Sequence, residues 1–263
     1  MATALALFAP SAAAQAPFIT LASTTSTEAS GLFAAILPRF TAETGIEVRV
    51  VAVGTGQALR LGRRGDADAV LVHAPAAEQR FVAEGFGLAR HEVMWNDFVV
   101  VGPSADPAAV RGLEDGPAAL ARIAASGAPF VSRGDDSGTH RAELALWRAA
   151  GLDPRADSGA WYREAGSGMG ATLNTANGMR AYTLVDRGTW LAFRNRSELE
   201  LLVAGDARLR NPYGAIVVSP ERHPHVKAEL AQRFVDWLVS PTGQAAIAAF
   251  RVHGEPLFHP VDR

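Results

Sequence analysis

Short apolar runs alternate along this chain with segments of helical spacing, and loops rich in serine, threonine and glycine join them. Residues 18–22 (FITLA), 47–53 (EVRVVAV), 69–72 and 97–101 read as strands. Between the first two, Leu32, Ile36, Leu37 and Phe40 recur at helical spacing, and Gly45 supplies the stop that a C-terminal glycine gives. Further helical segments follow Gly54-Thr55-Gly56 and cover residues 78–84. The second half repeats the rotation. It has strands at 129–131, 161–164, 181–184, 199–203 and 215–218, and helices at 141–150, from 171, and at 225–238. Strand, loop and helix in rotation predict an α/β fold with mostly parallel sheets and helices on both faces.

Two apolar stretches set the organisation. Asn96-Asp97-Phe98-Val99-Val100-Val101-Gly102-Pro103 leaves the first set of elements, and Asn211-Pro212-Tyr213-Gly214-Ala215-Ile216-Val217-Val218 returns to it. Crossings that leave and return imply an inserted second lobe and a hinge that closes over ligand. The expected lobes are 17–98 with 211–263, and 99–210 between them.

The 263 residues are enough for a full core, with 48% hydrophobic and 20% charged residues. The formal net charge is −2, which argues against nucleic acid as a partner, since phosphate neutralisation needs clustered cations. Lys227 is the sole lysine, so arginine carries nearly all positive charge and is not special merely for being arginine. With no cysteine, disulfides, thiolate catalysis and zinc fingers are excluded together. No histidine spacing suggests a metal, and no G-x-S-x-G elbow is present.

Residues 1–16, MATALALFAPSAAAQA, are apolar, uncharged and end in an A-x-A pattern. They are expected to be a signal peptide cleaved after Ala16, although a positive n-region is lacking. No other stretch is apolar over the roughly 18 residues that span a bilayer.

Four loops carry the chemistry. Ser23-Thr24-Thr25-Ser26-Thr27 places five hydroxyls at a helix entrance. Gly54-Thr55-Gly56 sets a hydroxyl between glycines, and Asp135-Asp136-Ser137-Gly138-Thr139 follows Arg133. Gly166-Ser167-Gly168-Met169-Gly170 precedes Ala171-Thr172. Helix starts offer free N–H groups and partial positive charge, hydroxyls add donors, and glycine lets the backbone approach closely. In open α/β sheets such loops gather where ligands bind, so together they favour a small anion. Each loop alone is also explained by ordinary N-capping. Asp135 and Asp136 are expected to cap the helix starting near Ser137, and Arg133 either pairs with an aspartate or faces the anion. The fourth loop also matches G-x-G-x-x-A of dinucleotide folds, but mid-chain and after a short strand, which argues against that reading. His140 is read as structural.

The blocks TTSTEASGLFAAILPRF, VVAVGTGQALRLGRRGDADAVLVHAP, FVAEGFG, NDFVVVGP, FVSRGDDSGTH, GMGATLNTAN, AYTLVDRGT and NPYGAIVVSP, in this order, resemble the TupA-type tungstate-binding proteins, the soluble receptors of tungstate ABC importers. The resemblance covers residues 19–258. It implies a type II periplasmic-binding-protein fold: two lobes of α/β structure joined by two hinge crossings, with a ligand cleft between. It implies a monomer in the periplasm, a membrane permease as partner, no cofactor, and tungstate or molybdate as ligand. Carried over by position, the ligands are Thr25, Ser26, Thr55, Gly56, Arg133, Ser137, Gly138, Thr139, Gly170, Ala171 and Thr172. Arg180 departs from the family pattern and is either a cation near the cleft or a solvated side chain. Selectivity against protonated anions is expected from an all-donor shell, because a protonated oxygen needs an acceptor. The rival readings are a molybdate or phosphate receptor, an enzyme on phosphorylated substrates, and a cytosolic anion sensor.

Overall fold

A computed structural model describes residues 16–261. The expected leader therefore lies outside the described residues apart from Ala16. The chain opens with β1 (Phe18–Thr24), α1 (Thr25–Ala29), α2 (Leu32–Thr44), β2 (Glu47–Val53), α3 (Thr55–Arg64), β3 (Ala69–Val72), α4 (Pro75–Ala83) and β4 (Gly87–Pro103). It continues through α5 (Gly116–Ser126), β5 (Phe130–Ser132), α6 (Gly138–Ala149), β6 (Tyr162–Glu164), α7 (Met169–Met179), β7 (Thr183–Asp186), α8 (Arg187–Ala192) and β8 (Leu199–Val203). Then come β9 (Arg210–Val218), α9 (Ala228–Val239), α10 (Pro241–Ala249), β10 (Arg251–Val252), β11 (Glu255–Pro256) and β12 (His259–Pro260). Among the described residues no helix is long and apolar enough to cross a membrane.

β1 pairs in parallel with β2 and β3, and β5 with β6, as βαβ connections require. The long crossing strands add antiparallel pairs. β9 runs against β3 and β4, and β4 also pairs antiparallel with β12, β7 and β8. The sheets are thus mixed and not mostly parallel as expected: every pair that β4 makes is antiparallel, and β4 opposes β9 because a strand that leaves one half and a strand that returns run in opposite directions. β4 spans 17 residues, far beyond the apolar run 97–101. Its first half, GLARHEVMW, lacks a clean apolar signal and is held extended by β9, β12 and a register with two irregularities.

The core divides on period-two alternation. Leu21, Leu71, Ala215 and Val217 face one layer with α2, α9 and α10 residues such as Phe40, Phe234 and Ile247. Ala22, Val70, Val72, Ile216 and Val218 face the opposite layer with Leu59 and Phe81. Further along β4, Phe98 and Val100 join Phe130, Trp147 and Tyr162, while Val99 and Val101 join Leu173 and Trp190. Successive strand residues point to opposite faces, so a run of consecutive valines is what a strand covered on both faces needs. The first two clusters use residues 19–94 and 213–258, and the other two use 98–209. Among the described residues, β4 and β9 are the strands that run between these groups, with Asn96 opposite Asn211 and Asp97 opposite Arg210.

α10 is a helix that the sequence reading did not include. Ser240 caps it, accepting from the Gly243 N–H (3.2 Å), and Pro241 occupies its first turn. A Cβ on Gly243 would sit 2.0 Å from the Trp237 carbonyl oxygen, so only glycine allows this sharp junction with α9.

Candidate functional site

Between the two groups of elements lies a cavity of about 730 Å³. The starts of α1, α3, α4, α6, α7 and α8 all contribute to its lining. Each helix start presents N–H groups with no intrahelical acceptor.

The serine–threonine loop divides into hydroxyls that hold the fold and hydroxyls exposed to the cavity, of which Ser26 Oγ also lies 3.1 Å from Thr24 Oγ1. Ser23 Oγ donates to the Leu71 carbonyl (2.7 Å), tying β1 to β3. Thr24 is buried and caps α1, accepting from the Thr27 N–H (3.3 Å), while its Oγ1 lies 2.6 Å from Thr27 Oγ1. That leaves Thr25 and Ser26 exposed to the cavity. Thr55 and Gly56 open α3 on the same wall, after Gly54 in extended conformation.

The opposite wall is the β5–α6 loop. Arg133, Ser137, Gly138 and Thr139 all line the cavity. Ser137 itself caps α6, accepting from the His140 N–H (3.3 Å), so the expected aspartate caps are corrected. The aspartates bind arginines instead. Asp135 pairs with Arg133 and accepts the Ser137 N–H (3.2 Å). Burial pushes Asp135 up, but the Ser137 and Arg133 hydrogen bonds outweigh it and hold the carboxyl below its usual range. Asp136, at φ 57°, takes two hydrogen bonds from Arg141 (2.9 and 2.7 Å), which lower its pKa. Arg133 thus both pairs with an aspartate and faces the cavity.

The glycine-rich loop contributes Gly168 and Met169 to the lining, one to two residues before the expected positions. α7 starts at Met169 rather than Ala171. Gly170, Ala171 and Thr172 are not on the lining, and Thr172 Oγ1 is turned to the carbonyls of Ser167 and Gly168 (3.3 and 3.2 Å). A threonine inside a first turn satisfies its hydroxyl on its own helix more readily than on a ligand. Arg180 ends α7 and pairs with Glu198 (3.3 Å), exposed to solvent and away from the lining.

Several lining residues lie in the blocks that carry the resemblance but were not among the expected ligands: Gln57, Arg60, His73, Phe98, Asp186, Thr189, Asn211 and Tyr213. Asp186 caps α8, accepting from the Thr189 N–H (2.8 Å) and hydroxyl (2.6 Å). Asp136 and Asp186 place carboxylates on the wall, so the lining is not the all-donor shell expected. His73 stacks on Tyr213 (4.8 Å between centroids), and its Nδ1 lies 3.1 Å from Asn211 Oδ1. Burial pushes its pKa below the ordinary histidine value, against the Asn211 hydrogen bond and the Asp186 charge.

Behind the α6 wall, buried Glu143 accepts from Tyr162 Oη (2.9 Å) and Trp147 Nε1 (3.0 Å). Burial raises its pKa to about 7. His140 Nδ1 accepts the Asp136 N–H (3.0 Å), which fixes the loop from beneath and keeps this histidine off the lining. Among the described residues no group of three or more histidines and carboxylates could hold a metal ion.

A family model described as a PBP superfamily domain matches residues 9–242. The chain is 48% identical over 246 residues to the tungstate-binding protein TupA of Peptoclostridium acidaminophilum, covering 92% of this chain and 85% of that one. A putative ABC transporter anion-binding protein of Haloferax volcanii is also 48% identical, over 247 residues, covering 92% and 71% of the two chains. The crystallised tungstate-binding protein TupA of Desulfovibrio alaskensis G20 superimposes with a TM-score of 0.89 at 47% identity, over 94% of this chain and all of that one. The chain belongs to the PBP superfamily and, within it, to the family of the TupA proteins.

Proposed function

We propose that this protein captures tungstate, a tetrahedral oxyanion, in the cavity between its two lobes and delivers it to the permease of an ABC importer. It is a binding protein and not an enzyme; no bond is made or broken. The observation that carries this reading is the convergence on one cavity of Thr25, Ser26, Thr55, Gly56, Arg133, Ser137, Gly138 and Thr139. Apart from Arg133, which follows directly on β5, these residues sit at the starts of α1, α3 and α6, and the set comes from both sides of the β4–β9 crossing. Hydroxyls and helix-start N–H groups suit an oxyanion without a metal, and the Arg133 fork adds charge-assisted donors. The α7 start completes the wall through Gly168 and Met169. The lobes are residues 17–98 with 211–263, and residues 99–210. Closure about β4 and β9 would bring the α1 and α3 starts onto the α6 start. The protein works as a monomer in the periplasm, after removal of residues 1–16.

Calorimetric titration of the desalted protein with tungstate, molybdate, sulfate and phosphate tests the reading. Tight tungstate binding with sulfate and phosphate silent is the expected result. Equal molybdate binding widens the ligand to both group-6 oxyanions, and silence from all four rejects an oxyanion receptor.

A further inference from the structure

His73 stands at the junction of β3 and α4 and belongs to none of the four anion-binding loops, yet it lines the cavity. It sits beside the α6 start: a Cβ on Gly138 would lie 3.5 Å from its Cε1. Its orientation is determined by a chain of amides at the strand crossing. Asn211 Nδ2 donates to Asn96 Oδ1 (2.7 Å), which leaves Asn211 Oδ1 as the acceptor 3.1 Å from His73 Nδ1. His73 therefore carries its neutral proton on Nδ1, and Nε2 has a bare lone pair. Among the described residues Nε2 has no partner, and it is not among the buried unpartnered atoms, so it opens on solvent in the cavity.

A bare lone pair repels the oxygen of a fully ionised oxyanion, whereas an N–H⁺ donates to it. We propose that His73 is an anion-contacting residue of the cleft and that its Nε2 takes up a proton from solvent as the oxyanion binds. This inference rests on the anion reading of the cavity. The charged and titratable groups around the ring are largely committed. Asp186 is engaged by Thr189, Asp136 by Arg141, Arg133 by Asp135, and Glu78 of α4 by Arg90. Arg60 also lines the cavity and donates to Gln57 Oε1 (3.0 and 2.6 Å), and Tyr213 is stacked on the ring. In the free protein burial favours the neutral ring, which is what makes uptake on binding possible. A ligand that brings its own proton, such as monohydrogen phosphate, would donate to neutral Nε2 and need no uptake.

The sign follows from linkage. Binding that takes up a proton weakens as pH rises, by up to about tenfold in Kd per pH unit between the free-state and bound-state pKa of His73. The test is calorimetric titration with sodium tungstate from pH 6 to 8, in two buffers of different ionisation enthalpy, on the wild type and His73→Gln. The wild type is expected to take up close to one proton per tungstate, with Kd rising with pH. H73Q, which keeps an amide donor, is expected to bind with no proton uptake and a flat pH profile. A proton count of zero in the wild type overturns the inference, and would mean that the Asn96–Asn211 amides are turned over and neutral His73 already donates. Retained linkage in H73Q overturns it as well, assigning the proton elsewhere. If H73Q does not fold, His73→Asn takes its place, with the same expected loss of proton uptake. Failure of the wild type to bind tungstate at any pH rejects the oxyanion reading itself, a different result from binding without uptake.

Discussion

At the scale of single residues, the five hydroxyls of Ser23 to Thr27 illustrate how chemistry and architecture share one motif. Ser23, Thr24 and Thr27 hold β1, β3 and α1 together through hydrogen bonds of 2.6 to 3.3 Å. Thr25 and Ser26 are exposed to the cavity and are the ones proposed to meet the ligand. Thr25→Ala is expected to weaken tungstate binding by roughly 10- to 100-fold, the loss of one hydrogen bond to a charged group, about 1.5–3 kcal/mol. Its melting temperature should stay near wild type. Thr24→Val, by contrast, removes the cap and leaves the buried Thr27 hydroxyl without its partner, at a cost of about 1–2 kcal/mol. It should lower both stability and affinity. Calorimetry and thermal melts on the two variants separate these roles, and equal melting temperatures would contradict the assignment.

At the scale of elements, α6 is supported from below by a buried polar cluster. Glu143 lies one turn behind Thr139, in contact with Tyr162 and Trp147, and its pKa is raised to about 7 by burial. A raised carboxyl pKa means that the folded state binds more protons than the unfolded chain between about 4.5 and 7. The stabilisation relative to the ionised state is complete below the unfolded value and is lost as pH rises through 7. The difference is on the order of 3 kcal/mol. Glu143→Gln, which keeps the acceptor for Tyr162 and Trp147, should melt higher than wild type at pH 8. It should lie close to wild type at pH 5. Parallel melting curves across this range would assign the wild type's loss of stability to another group.

At the scale of the whole molecule, β4 and β9 carry the chain between the two groups of elements, so the cavity is made by how these groups face one another. Arg187 at the start of α8 donates twice to Asp97 on β4 (2.7 and 2.5 Å), bracing the crossing. A ligand held from both walls stabilises the closed arrangement. At tungstate about a thousandfold above Kd, the stabilisation is about 4 kcal/mol. For a chain of this size that is a rise of roughly 10 °C in melting temperature. Differential scanning fluorimetry measures it directly, and a shift absent with tungstate would contradict binding to the folded protein. Small-angle scattering should show a smaller radius of gyration in the complex.

Local information alone determined the fold class, most strand positions and the four loops, because alternation, helical spacing and capping chemistry act between neighbours in sequence. Strands 47–53, 69–72 and 199–203 were legible to the residue because each is bounded by turn residues. The full length of β4 was not, since its polar half is extended by pairing with β9 and β12. Nor were the roles of individual side chains. Which hydroxyls face the cavity, that Ser137 rather than Asp135 or Asp136 caps α6, and that Thr172 turns to its own helix depend on hydrogen-bond competition in the folded chain. His73, Asp186 and Asn211 reach the site from three separate elements and share no sequence pattern. Only the tertiary structure could assemble them, because the cavity they line is defined by contacts 138 residues apart, such as His73 with Asn211, and not by any run of sequence.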